Sequence, residues 1–236
     1  MDPEERPYRI GRQIYANPLS SEADVADFRL EGSAHVTFPH GRMRLANVLD
    51  PAEGQRANFV LWCPHDLPPD IAISWTVLPV HEPGLCMLFF AAAGRNGEDI
   101  FDSTLNARDG EYDHYRYGDI NALHVSYFRR TTAEARAFRT CNLRKSHGFH
   151  LVAQGGDPLP DVDEMLEPYR ATVLTCGPDV ELWINDLQIF TWHDDGHSYG
   201  PPLGGGKIGF RQMAPLVAEY EDLQVHSVER LAGQSL

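Results

Sequence analysis

Two histidines, His124 and His150, and two arginines, Arg144 and Arg211, alternate with apolar neighbours along this chain. These residue types can carry an elimination beside a carboxylate. A guanidinium grips a carboxylate through two parallel bonds, and an imidazole, whose ordinary pKa is near ~6.5, moves protons around neutrality. Cleavage of a uronate needs both: a cation that neutralises the carboxylate, and a His or Tyr that takes the C5 proton and supplies one to the leaving oxygen. Asn142 and Ser126 add polar contacts and Trp62 an aromatic surface, while Tyr112, Tyr115 and Tyr117 offer phenols in a nearby polar stretch. A second set, Glu98 and Asp99 with Asp102, lies in the acidic, turn-like segment 94–102. A glycoside hydrolase would draw its pair of carboxylates from there. A third reading is a non-catalytic lectin holding sugar on Trp62 and a few polar groups. All three stay open at this stage, with an enzyme favoured over a lectin.

The elements that must position these groups are strands. Apolar residues recur with period 2 over fourteen short segments between 28–30 and 217–228, nearly all separated by Gly, Pro, Asn or Asp. Helical periodicity is confined to 132–137 and 161–166. This pattern predicts an all-β protein, a two-sheet antiparallel jelly-roll sandwich. We read 1–236 as a single domain, with 1–24 as an N-terminal extension and 95–119 as a long polar loop bordering the site. Successive strand residues point to opposite faces. If Leu123, Val125, Cys141, Leu143, Phe149, Leu151, Ile208 and Phe210 face the core, then His124, Ser126, Asn142, Arg144, His150 and Arg211 share the other face with Trp62.

Net charge is −14, which argues against general binding to nucleic acid or anionic membrane. Against that background, residues 128–147 hold six cations, Arg129, Arg130, Arg136, Arg139, Arg144 and Lys145, and one acid, Glu134. Such a segment is either a solvated hairpin or a local site for carboxylates. The longest uncharged apolar run, 85–93, is too short to span a bilayer. The acidic opening has no secretory h-region. Four scattered cysteines, Cys63, Cys86, Cys141 and Cys176, have no zinc spacing and are expected to be reduced and buried, as in a cytoplasmic protein. His193, His197, His147 and His150 do not match a catalytic zinc pattern. No cofactor is expected, although a structural calcium ion on loop carboxylates stays open. The expected partner is an oligosaccharide or polysaccharide, with neither nucleic acid nor membrane involved and a homodimer left open.

Several blocks resemble the YesU-like family of bacterial proteins: His35-Val-Thr-Phe-Pro-His-Gly-Arg-Met43, Phe59-Val-Leu-Trp-Cys-Pro64, Gly118-Asp-Ile-Asn-Ala-Leu-His-Val-Ser-Tyr-Phe-Arg-Arg130, Thr140-Cys-Asn-Leu-Arg-Lys-Ser146 and Gly204-Gly-Gly-Lys-Ile-Gly-Phe-Arg-Gln-Met213. The resemblance implies a concanavalin-like (galectin-like) jelly roll and a link to bacterial use of pectin-type rhamnogalacturonan. It supplies no catalytic residues. The segments 180–185, 207–210 and 219–225 are also similar to the keto-disaccharide hydrolase branch of the fold. The Glu-x-Asp-x-x-Glu strand of laminarinase-type jelly rolls is not matched; Glu219 and Glu221 alternate suitably but read as exposed framework.

Overall fold

The structure, a computed structural model, describes residues 7–231. Alternating apolar segments pair into two antiparallel sheets, with strands numbered in chain order. An eight-stranded sheet runs β13 (Leu187–His193), β12 (Asp179–Ile184), β11 (Tyr169–Cys176), β6 (Ile71–His81), β15 (Val217–Arg230), β4 (Met43–Asn47) and β3 (Ala34–Thr37), with β1 (Tyr8–Asn17) also pairing on the long β15. A seven-stranded sheet runs β10 (His150–Gly156), β9 (Thr140–Ser146), β8 (Ile120–Tyr127), β7 (Leu85–Gly94), β14 (Lys207–Met213), β5 (Phe59–Trp62) and β2 (Arg29–Gly32). Two short α-helices occur among the described residues, α1 (Asp113–Arg116) and α2 (Ala133–Phe138). The all-β sandwich is therefore the fold of this chain.

One face of each sheet closes over a shared core that includes Trp75, Phe90, Val125, Leu143, Phe210 and Tyr220. Cys63, Cys86, Cys141 and Cys176 are buried and unpaired. Three sequence expectations need correcting. Residues 8–17, placed in an N-terminal extension, form a sheet strand, while the acidic opening 1–6 lies outside the described residues. The helical segment expected at 132–137 runs one residue further, to Phe138 at the end of α2, and the Thr132 side chain caps it by accepting from the Ala135 amide. Glu219 is only 3% exposed, because Arg44 Nε donates to it at 3.0 Å on the sheet away from the site. No helix among the described residues is long and apolar enough to cross a membrane.

The seven-stranded sheet keeps its register across most of its width, so directly opposed residues line up on the face away from the core. One row reads Trp62, Gly209, Phe89, His124, Arg144, Leu151. The next reads Val60, Arg211, Met87, Ser126, Asn142, Gln154. At Gly209 a Cβ would stand 2.5 Å from the Trp62 ring, so only glycine lets the indole lie across β14.

Candidate functional site

Loop 95–119 folds back over half of that face. Ile100 and Tyr115 bury Val60, Trp62, Met87 and Phe89 in a second apolar cluster, joined by Phe101, Leu105 and Tyr112. A carboxylate, Glu31, fixes the loop in place. It accepts from Trp62 Nε1 at 2.8 Å, from Tyr115 Oη at 2.9 Å and from Arg108 at 2.6 Å. Trp62 is fully buried beneath Tyr115 and Tyr115 is fully buried itself. Trp62 is therefore not the aromatic surface for a sugar, nor Tyr115 the phenol free to meet one, that the sequence suggested.

Arg211 also lies under the loop, fully buried without an acid partner. Its guanidinium donates to Gly110 O at 2.6 Å and to Gln55 Oε1 at 3.1 Å, and it lies 4.9 Å from the centre of the Tyr112 ring. Carbonyl, amide and ring faces offset part of the cost of burying that charge. Gly110 makes the contact feasible: its φ is +96°, and a Cβ there would overlap Asn58 O. Arg211 Nε has no partner.

At the edge of the loop, Tyr112 reaches His124. Its Oη lies 2.6 Å from His124 Nε2, and its ring meets Phe149 edge-on at 5.6 Å. Burial, then the charges of Arg144 and Arg211, pull the His124 pKa down to about 3. Burial pushes the Tyr112 phenol up to about 12, although Arg211, Arg144, Arg116 and Arg129 pull it the other way. At neutral pH the phenol is therefore protonated and donates to a neutral imidazole. That leaves the ring proton on His124 Nδ1, a buried atom with no partner.

Arg144 stands beside His124 in the row, stacked 3.7 Å from the Phe149 ring centre and donating to Phe149 O at 3.1 Å. Burial, with Arg129 and Arg116 nearby, weakens its hold on its proton, while Tyr112 acts in the opposite sense. The basic segment now divides. Arg130 meets Asp157 and Asp161, Arg136 meets Glu82, Arg139 meets Asp161, and Lys145 meets Asp194. Arg129 and Arg144 bond only Thr140 and a backbone carbonyl, so with Arg211 they form a cationic group that no acid among the described residues neutralises. Ser126 and Asn142 continue the face beside it, with Asn142 Oδ1 accepting from Gln154 Nε2 at 2.7 Å.

The remaining expected site residues stand elsewhere. His150 pairs with Lys145, not Arg144, because a bulge between Leu151 and Ala153 shifts β10. Its ring stacks on Tyr199 at 4.5 Å, on the side where Lys145 binds Asp194. Glu98 is held by Asn96 at 2.8 Å, and bonds from that residue keep its carboxyl below the usual range. Asp99 faces Lys207 at 2.9 Å; burial works upward on it, but the Phe101 amide and Lys207 outweigh that and keep it low. Both acids serve the loop. His193 is held by Asp179 and Asp195 by its own turn, and no group of three metal-ligating residues occurs among those described.

The model of DUF1961, a domain of unknown function, matches residues 12–225. The chain belongs to the DUF1961 family. The chain is similar to the uncharacterized protein YesU of Bacillus subtilis (strain 168), 52% identical over 223 residues, which are 94% of this chain and 99% of that protein. A crystal structure from Bacillus subtilis, described as a protein of unknown function with galectin-like fold, superposes with a TM-score of 0.91 at 52% identity over 94% of this chain and 99% of the other. The kappa-carrageenase from Pseudoalteromonas carrageenovora, in complex with an oligotetrasaccharide of kappa-carrageenan, gives a TM-score of 0.57 at 9% identity, covering 97% and 99% of the two chains. That last likeness is one of fold. The YesU-like resemblance read from the sequence blocks is thus established for this DUF1961 member.

Proposed function

We propose that this protein cleaves glycosidic bonds in uronate-containing plant saccharides of the pectin or rhamnogalacturonan type by β-elimination at Tyr112 and His124. One observation carries the reading: a hydrogen-bonded phenol–imidazole pair lies among arginines that no acid among the described residues neutralises. A buried or half-buried guanidinium without a counter-ion favours an anionic ligand strongly. The jelly roll shared with a saccharide-bound carrageenase supports a sugar as that ligand.

In this reading Arg144 binds the uronate carboxylate and stabilises the charge that develops there when C5 loses its proton. Tyr112 Oη takes the C5 hydrogen as its own proton passes to His124 Nε2. The C5 electron pair becomes the C4–C5 double bond, and the C4–O4 bond breaks with its electrons on oxygen. Tyr112 protonates that oxygen and recovers a proton from His124, so both groups end as they began. The bound carboxylate assists. Arg144 is one of the charges that depress His124, so neutralising it moves the imidazole toward its ordinary basicity.

The four buried, unpaired cysteines support a reducing, cytoplasmic setting. The experiment is direct. Purified protein is incubated with pectic oligosaccharides while the absorbance of unsaturated uronate and the release of reducing ends are followed together. Rising absorbance is the expected result; reducing ends without absorbance would mean hydrolysis and overturn the reading.

A further inference from the structure

Beside the arginine group the surface sinks into a recess of about 440 Å³ between β9, β10 and α2. Its lining includes Arg129, Thr140, Gln154 and Phe138, with Glu134 on the exposed first turn of α2. Phe138 is 77% exposed at the end of the helix, so core packing does not account for it. Arg129 donates to Thr140 Oγ1 at 2.6 Å and meets no acid among the described residues. An exposed ring, a guanidinium without an acid partner among the described residues and two neutral hydrogen-bonding side chains thus surround one hollow, with Glu134 at its helix side, and these are groups that an acidic sugar can stack on and bond to.

The recess is separate from the reacting centre yet continuous with it. Thr140, Asn142 and Arg144 share one face of β9, and the four steps from Thr140 to Arg144 span about 13 Å at ~3.3 Å each. The two ends of this line are two anchoring positions along the strand rather than one. Gln154, which lines the recess, bonds Asn142 in the middle of this line. Arg129 is also near enough to Tyr112 and Arg144 for its charge to act on both.

We propose that Arg129, Thr140, Gln154 and Phe138 form a second subsite, which holds another acidic unit of the same saccharide chain, with its ring on Phe138 and its carboxylate on Arg129. The substrate class is then an oligosaccharide bearing more than one carboxylate. This rests on the reading of the Tyr112 centre as a uronate site but is tested without turnover.

Binding of digalacturonate and tetragalacturonate to the full chain carrying Tyr112→Phe is measured by calorimetry, alone and combined with Phe138→Ala, Phe138→Tyr or Arg129→Ala. Phe138→Ala is expected to weaken tetragalacturonate binding by about tenfold, and Arg129→Ala by about thirtyfold. Phe138→Tyr keeps the ring and should retain the affinity. Digalacturonate, short enough to sit at Arg144 alone, should respond to Phe138→Ala by less than about twofold. Unchanged tetragalacturonate binding, equal losses for both lengths, or no binding of either saccharide would overturn the subsite. Length-dependent binding in a wild-type protein that forms no unsaturated product would instead retain the subsite and remove the elimination.

Discussion

The face of the seven-stranded sheet that points away from the core has two unlike halves. Over β5, β14 and β7 it is apolar and roofed by loop 95–119, with Trp62 and Phe89 sealed beneath Tyr115. Over β8, β9 and β10 it is polar, and Arg144 and Gln154 remain partly exposed there. Each half holds a buried or half-buried charge, but the accounts differ. Glu31 receives three donors and is matched by Arg108, so the charge that holds the roof is neutralised, while Arg211, deep under the loop, is met only by a carbonyl, an amide and ring faces. Arg144 and Arg129 are not matched. What separates the halves is access: Arg211 is sealed under the roof, whereas the half-buried Arg144 and Arg129 can be reached by an outside anion.

Tyr112 belongs to both halves, since its loop closes one and its hydroxyl serves the other. The largest effect is therefore expected at the seam. His124→Ala or Tyr112→Phe should lower kcat by about 10²–10⁴-fold, the usual span for a lost proton-transfer group, with KM much less affected. Steady-state kinetics on a pectic oligosaccharide would check this, and full activity in both variants would remove the mechanism. The covered half should behave oppositely. Trp62→Ala empties a fully buried indole site and should cost about 3–5 kcal/mol of stability, measured by chemical denaturation. Binding per folded molecule should persist; selective loss of sugar binding would return Trp62 to the role the sequence first suggested.

The halves were unequally legible in the sequence. Period-2 alternation located the sandwich and put His124, Ser126, Asn142, Arg144 and Arg211 on one face, because strand geometry alone decides sidedness. It could not say what covers that face. The roof is built from Ile100, Phe101, Leu105, Tyr112 and Tyr115, whose irregular spacing carries no periodic signal. A usable clue lay in β7, where the unbroken run Leu85-Cys-Met-Leu-Phe-Phe90 is apolar on both faces and so calls for cover on both. β1 escaped because its burial shows no period-2 alternation and half of its residues are exposed. His150 was assigned to the wrong side by one bulge, which inverts every residue before it. The basic segment looked like one patch, but its pairing acids, Asp157, Asp161 and Asp194, come from later in the chain, beyond the reach of local pattern.

Acid should also distinguish the halves. The folded His124 pKa, about 3, lies below the unfolded value near ~6.5. Between these values the unfolded chain binds more protons than the folded one, so stability falls as pH drops through that window. Relative to His124→Phe, which has no proton to gain, the wild type should lose several kcal/mol between about pH 6.5 and 3. Urea unfolding at a series of pH values would show it, and parallel curves for the two proteins would mean that His124 is not held neutral by its surroundings. Arg144→Ala comes next in size. It should lower kcat/KM on acidic saccharides by about thirtyfold or more, roughly 2 kcal/mol, and have little effect on neutral ones.

The smallest effect is expected from Glu98→Gln and Asp99→Asn, and its smallness is informative. A hydrolase needs one carboxyl with a raised pKa to protonate the leaving oxygen and a second opposite it. Glu98 is turned onto its own loop and held below the usual range by Asn96, the wrong direction for an acid at neutral pH. Asp99 is likewise low and paired with Lys207, which keeps Asp66 as a second partner if Asp99 is neutralised. Neither is among the groups that act on Tyr112 or His124. Turnover in both variants should therefore stay within about twofold of wild type, the range of a surface change away from the reacting groups. A loss of a hundredfold or more in either, with His124→Ala still active, would move the chemistry from the open half of the sheet to the loop that covers the other.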